Sequence, residues 1–303
     1  MLPARKRHPQ STLVPSETLA QPTVSPYQTC RLYHSRNGRD SGLIGKGLQR
    51  LGKLTSKSLN GTSEFDPVLC EIMLRWFCPS GGKVIDPFAG GNVRGVVSML
   101  LGNRYHGVDI RQEQITANYD SLEFVKSEEQ EITNEPCWYC GDSNKINDIL
   151  GDQAPFDFFL MCPPYSDLEK YSDDPNDLSN MPYSQFIQSY RDIIAKTVSL
   201  LTDNAYCAVV VSDIRDKKGM YRGFTCDTVS AFVDCGCKLY NDIVKLDPYG
   251  TGAIRADGQF SSLRKVVRTH QNVLIFVKGD PKKIKTADYN FDFESYETEE
   301  QIF

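Results

Sequence analysis

Lys83-Val84-Ile85-Asp86-Pro87-Phe88-Ala89-Gly90-Gly91-Asn92 decides how this chain is read, because an apolar run ends on an acid and passes into a glycine-rich turn. The apolar residues fit a short buried strand. The turn ends it, since Pro87 has no amide hydrogen and Gly90-Gly91 reach conformations closed to other residues. Upstream, Asp66-Pro67 offers an N-cap followed by a proline suited to the first helical position. The stripe Val68, Leu69, Ile72, Met73, Trp76, Phe77 continues at helical spacing and stops at Cys78-Pro79-Ser80-Gly81-Gly82. Downstream, the pattern predicts a helix over 94–101, a strand over 104–109, a helix over 111–124, a polar connector over 125–135 and strands over 138–140 and 156–161. A helix over 183–201, a strand over 205–212, a helix over 226–235 and strands over 238–246 and 271–278 complete the series. Such alternation predicts an α/β protein, its mostly parallel sheet covered by helices on both faces. Ligands then bind beyond the carboxyl ends of the strands.

The 303 residues, 40% apolar and 24% charged, suffice for one large core with tails. No run of about 18 apolar residues is present for a membrane span, and the N-terminus lacks the apolar core of a signal peptide. A soluble, cytoplasmic protein with no membrane partner is expected. Ten cysteines scattered through apolar stretches suit reduced core thiols. Cys137-x-x-Cys140 and Cys235-x-Cys237 lack the two well-spaced pairs of a zinc site, so no metal is expected. The formal charge of −5 is unevenly spread: residues 1–57 hold ten Lys/Arg against two acids, and residues 280–303 three Lys against seven acids. The first segment reads as a basic, largely disordered arm, either a source of phosphate contacts or a solvated tail. The last reads as an acidic disordered tail, leaving one domain over 58–279.

In the turn at 86–92, backbone amides and the start of the following helix offer partial positive charge to a ligand. The spelling is neither Gly-x-Gly-x-x-Gly nor a phosphate-binding loop ending in Lys-Ser/Thr. Two further acids end successive strands. They are Asp109, in Gly107-Val108-Asp109-Ile110, and Asp142, in Cys140-Gly141-Asp142-Ser143. Asp86-Pro87-Phe88-Ala89-Gly90 resembles the first motif of the S-adenosylmethionine-dependent methyltransferases that modify exocyclic amines of DNA bases. The resemblance implies S-adenosyl-L-methionine as cofactor, held by Asp86, Pro87, Phe88, Ala89, Gly90 and Asn92, then by Asp109 and Ile110, and by Asp142 and Ser143. Asp109 would then accept from two ribose hydroxyls, Ile110 pack on the adenine ring and Asp142 suit the adenine amino group. It also implies a contact from Phe65 to the methionine part. Phe65 alternatively packs on Leu69 as a helix staple.

The strand over 156–161 ends in Cys162-Pro163-Pro164-Tyr165, a rigid elbow whose carbonyls lack ladder partners. Residues 63–278 resemble the DNA amino-methyltransferase family, whose Asp/Asn/Ser-Pro-Pro-Tyr/Phe motif this elbow matches at three of four positions. The resemblance implies a Rossmann-like methyltransferase fold of seven strands, mostly parallel, the last antiparallel. It implies DNA as partner and methyl transfer to the exocyclic amino group of adenine or cytosine, on a base extruded from the duplex. The catalytic residues are then Cys162, Pro163, Pro164 and Tyr165. The Pro163 carbonyl accepts from the amine, whose lone pair is otherwise delocalised into the ring, and Tyr165 stacks on the base. Cys162 departs from the motif, because a thiol accepts more weakly than a carboxylate, amide or hydroxyl. Asp167 either supplies the missing acceptor or caps the acidic loop that follows. A nucleophilic Cys162 of the carbon-5 methyltransferase type is disfavoured, since the thiol precedes both prolines. Two further readings stay open: an RNA or protein-amide N-methyltransferase, and a non-catalytic nucleic-acid-binding module that retains the fold.

The acidic residues 166–182 are expected to gate the site. Arg215, Lys217, Lys218 and Arg222 with Tyr221, and Arg264 and Lys265 within the basic, aromatic stretch 247–270, are expected to clamp nucleic acid. An ordinary solvated loop is the alternative. His270 is expected to pack or face solvent, because methyl transfer to an amine needs no strong base.

Overall fold

Asp66 caps the first helix as its sequence predicts: the carboxylate accepts from the amides of Val68 and Leu69, and Pro67 opens α1, Pro67–Phe77. The computed structural model describes residues 65–128, 134–168, 170–246 and 252–284. The expected arm over 1–57, residues 58–64 and the tail from 285 lie outside the described residues. Within them, seven strands form one sheet: β1 Lys83–Asp86, β2 Arg104–Asp109, β3 Cys137–Cys140, β4 Phe156–Met161, β5 Leu201–Val211, β6 Lys238–Leu246 and β7 His270–Lys278. Their order is β3-β2-β1-β4-β5-β7-β6. The first five run parallel, and β7 inserts antiparallel between β5 and β6. This is the Rossmann-like methyltransferase fold expected, its last strand reversed.

The helices α2 Val93–Leu100, α3 Gln112–Glu128, α4 Ile146–Leu150, α5 Tyr183–Ser199, α6 Phe224–Asp234 and α7 Gly252–Leu263 follow in chain order. One core joins α1, α2 and α3 to one face of the sheet through Met73, Val97 and Leu122; the other packs α4, α5 and α6 on the opposite face through Leu150, Tyr190 and Phe232. Between them, Phe156 and Phe158 through Met161 of β4 are fully buried. Covering both faces explains why β4 reads as an unbroken apolar run rather than an alternation.

Three expectations are corrected. The helix α3 continues to Glu128 instead of ending at 124, because Val125 is still buried and the Ser and Glu residues around it are compatible with a helix. The stretch 247–270 contains α7, which Gly258 and the Ser261-Ser262 pair concealed. The acidic tail begins with an ordered turn, Pro281–Lys283, where the Asp280 amide donates to Asn204 Oδ1 at 2.9 Å. Among the described residues no helix is long and apolar enough to cross a membrane, and no cluster of His, Cys, Asp or Glu could hold a metal ion.

Candidate active site

Parallel pairing sets Val84 opposite Phe158 and Ile85 opposite Phe159, so the β1 turn and the β4 elbow leave adjacent central strands at the same edge. Neighbouring strands lie about 4.8 Å apart. The two motifs, remote in sequence, are therefore neighbours.

Asp86 closes β1 at 0% exposure, where a lone carboxylate would be strongly disfavoured. Its oxygens are matched by the Phe88 amide at 2.9 Å, Arg94 Nε at 2.6 Å and the Tyr105 hydroxyl at 2.7 Å. Arg94, 5% exposed on α2, also donates to the carbonyls of Phe88 at 2.5 Å and Ala89 at 2.9 Å. Burial works against its charge, but the Asp86 carboxylate, with contributions from Tyr105 and Cys162, holds the guanidinium pKa above its ordinary value. The Phe65 ring lies over this guanidinium at 4.7 Å. Asp86 and Ala89 are both fully buried and shape the turn from beneath, the Asp86 carboxylate and the Ala89 carbonyl bonding within the protein. Pro87 is buried as well, and its carbonyl accepts from the buried Ser143 hydroxyl at 2.5 Å, so Ser143 braces the turn across 56 residues. Arg94 was not singled out in the sequence. The signal was present, because it is the only charged residue in the otherwise apolar Val93–Leu100.

The upper side of the turn remains partly open at Phe88, Gly90 and Gly91, and buried Asn92 leads into α2. Gly90 takes φ +51, in the left-handed region that glycine enters at least cost. Asp109 binds this turn directly: Oδ2 accepts from the Gly90 amide at 3.0 Å and Oδ1 from the Arg111 amide at 2.9 Å. Burial raises its pKa, against the Arg111 and Gly90 contacts that favour the charged form. Oδ1 also faces Arg111 Nε at 3.5 Å, so the lone pair left for a ligand hydroxyl is on Oδ2. Ile110 is partly exposed beside it. Asp142 caps a short turn, accepting from the Asn144 amide at 2.9 Å and its side-chain nitrogen at 3.1 Å. Parallel pairing of Asp86 with Gly107 and of Asp109 with Cys140 brings all three strand ends to one edge.

At the elbow, Cys162, Pro164 and Tyr165 are half-buried and Pro163 is buried. The Tyr165 ring meets Phe224 edge-on at 6.0 Å, its hydroxyl receives Gln271 Nε2 at 3.4 Å, and it lies within hydrogen-bonding reach of the Ser212 backbone. Burial and the neighbouring Cys162 raise the phenol's pKa, keeping it neutral. Ser166 follows with φ +52 and a buried hydroxyl, which turns the chain sharply away. The side chain of Asp167 lies outside the described residues. Beyond it, Asp177 orders the acidic segment by accepting from the Ser179 amide and hydroxyl and from the Ser172 hydroxyl. Tyr171 then stands 5.6 Å over the Arg111 guanidinium. Since β1 lies between β2 and β4, this contact passes above the β1 turn.

The two basic segments meet. Lys265 lies against Gly219, and Ser212 at the start of the 212–223 loop adjoins Tyr165. Lys217, Lys218 and Arg264 are exposed, whereas Arg215 and Arg222 stack on Tyr221 and Tyr183. His270 is half-buried, and its carbonyl accepts from Arg268 Nε at 3.1 Å.

No protein-family model matches the chain, and no curated protein matches it. Several solved structures are similar in fold. TrmN from Thermus thermophilus matches at 14% identity and a TM-score of 0.46, over 73% of this chain and 51% of that one. Magnesium protoporphyrin IX methyltransferase from Synechocystis, solved with SAM bound, matches at 11% identity and a TM-score of 0.44, over 86% of this chain and 100% of that one. A SAM-dependent methyltransferase from Methanosarcina mazei matches at 12% and 0.46, over 72% of this chain and 99% of that one. The strand order and directions define the fold by themselves.

Proposed function

We propose that the chain is an S-adenosylmethionine-dependent methyltransferase acting on the exocyclic amino group of adenine or cytosine in DNA. The observation that carries this reading is the adjacency of the β1 turn and the β4 elbow at one edge of the sheet. The residues at that edge fit the cofactor. Gly90 turns the chain through the left-handed region that glycine favours and leaves the turn's surface without a side chain, Asp109 keeps a lone pair on Oδ2 for a ribose hydroxyl, and Ile110 offers an apolar surface for adenine. When bound, S-adenosylmethionine supplies an electrophilic methyl group. The chain's own part is to bind and orient. Pro163 presents a carbonyl to the target amine, Tyr165 offers a neutral ring face, and the Phe224 edge and Gln271 amide fix that ring. Cys162 lies within electrostatic range of the Arg94 guanidinium. The basic, aromatic surface around 212–222 and 264–265 adjoins the elbow on the side away from the cofactor turn, as the clamp on a duplex requires.

The test is transfer of labelled methyl to duplex DNA, RNA and protein fractions, followed by nucleoside analysis. N6-methyladenine or N4-methylcytosine is expected in DNA. Label confined to RNA or protein overturns the DNA assignment, and label in no fraction overturns catalysis. In the latter case Cys162→Asp tests whether the thiol alone disables a retained fold.

A further inference from the structure

Asp216-Lys217-Lys218-Gly219 spells a type I turn, with an acid at its first position and glycine at its fourth. The structure forms it: the Gly219 amide donates to Asp216 O at 2.9 Å, and Gly219 takes φ +87. The flanking chain pairs as a hairpin, with the Asp216 amide on Met220 O and the Arg222 amide on Ile214 O, each at 2.8 Å, and a bridge between Arg215 and Tyr221. The Asp216 carboxylate accepts from the amides of Lys218 and Met220, both at 2.9 Å. The Arg215 guanidinium lies 3.7 Å over the Tyr221 ring and donates to Gly219 O at 2.8 Å. The result is a stiff arm whose base adjoins Tyr165.

This arm displays an apolar side chain. Met220 is 66% exposed, beside the exposed Lys217 and Lys218. Burying a methionine is favourable, and this one forgoes that gain in the free protein. Lys265 against Gly219 brings a second exposed apolar and basic stretch alongside, with Leu263 at 66% and Val266 at 69%.

We infer that Met220 is a wedge that enters the base stack of a nucleic-acid duplex beside the extruded base, with Lys217 and Lys218 on the flanking phosphates. The inference rests on the proposed action at an extruded base. An apolar side chain inserted between base steps unstacks them and occupies the place the extruded base has left. Charge favours this partner over a second protein chain. Lys217, Lys218, Arg264 and Lys265 lie around the methionine, while Asp213 and Asp216 turn their carboxylates onto backbone amides.

The test uses the full chain and a panel of duplexes carrying 2-aminopurine at successive positions, whose fluorescence rises on unstacking. Wild type is expected to raise it strongly. Met220→Ala is expected to bind duplex within about threefold of wild type, yet to lose about tenfold of the fluorescence rise and of methyl transfer, while Met220→Leu retains both. A mismatch at the target position, already unstacked, restores transfer by Met220→Ala. Replacing Lys217 and Lys218 by Gln lowers the salt slope of log affinity by about two. Equal unstacking by wild type and Met220→Ala overturns the wedge while leaving DNA methylation standing. Unstacking without methyl transfer overturns the proposed reaction and keeps the wedge. A wild-type chain that binds no duplex, or a dimer abolished by Met220→Ser in sedimentation, overturns the wedge by leaving the surface to another partner.

Discussion

Arg94 sets the shape of the cofactor turn, because one guanidinium neutralises Asp86 and holds two successive carbonyls of the loop. Removing it leaves a buried carboxylate with only neutral donors, the costly half of breaking a buried pair. Arg94→Met is expected to lower the unfolding free energy by about 3–5 kcal/mol in urea titration, and Asp86→Asn in the same chain to recover part of it. His106 gives a pH signature. Burial, with Lys83 and Arg104 nearby, pushes its pKa from 6.5 down to about 4. Between those values the unfolded chain takes up a proton that the folded chain refuses, so stability falls as pH drops from about 6.5 to about 4. Above 6.5 this group has no effect on the pH dependence. The melting-temperature advantage of wild type over His106→Gln should accordingly be constant above that pH and shrink below it. At this scale the sequence showed the acids of the strand ends but not their partners, because Asp86 and Arg94, eight positions apart, flank a turn whose path tertiary contacts set.

The helix α2 carries a glycine whose replacement reverses the usual sign. In an exposed helix, Gly→Ala stabilises by about 0.5–1 kcal/mol. A methyl on Gly95 would instead collide with the Trp138 ring of β3 and approach Pro136 at 3.0 Å. Gly95→Ala is expected to destabilise by about 1–3 kcal/mol in thermal unfolding and to shift the start of α2, which weakens cofactor binding. The start of α6 depends on Asp213, whose Oδ1 accepts from the amides of Ile214, Gly223 and Phe224. Asp213→Ala should cost about 1–2 kcal/mol and loosen the 212–223 hairpin, visible as faster amide exchange there. The cap of α1 was legible, since Asp66 and Pro67 are contiguous with the helix they start. The cap of α6 was not, since its acid lies ten residues upstream, across the hairpin.

The molecule as a whole gathers three strand-end acids, the elbow and two basic segments at one edge. A ligand held there by several elements should stabilise the entire fold. S-adenosylmethionine at about 100 times its Kd is expected to add about 2.7 kcal/mol to unfolding, and Asp109→Ala to abolish most of that shift. A melting curve that ignores the cofactor would contradict the proposed site. Among the described residues, the exposed lysines and Arg264 confer a local positive surface on a chain whose formal charge is −5. On the proposed action on DNA, duplex affinity should fall steeply with salt, and Lys265→Glu should weaken it without altering cofactor binding.

By itself the sequence determined the sheet class and most element types, α4 and α7 excepted, because apolar periodicity, caps and turn residues act over a few neighbours. It also marked the two turns that adjacent strands bring to one edge. Only the tertiary structure decided that Asp86, Ala89 and Ser143 brace the turn from beneath, that Arg94 ties Asp86 to the carbonyls of Phe88 and Ala89, and that 212–223 meets 264–265. Those outcomes depend on which strands pair and which faces close, and strand order is a long-range property with no local imprint on the chain.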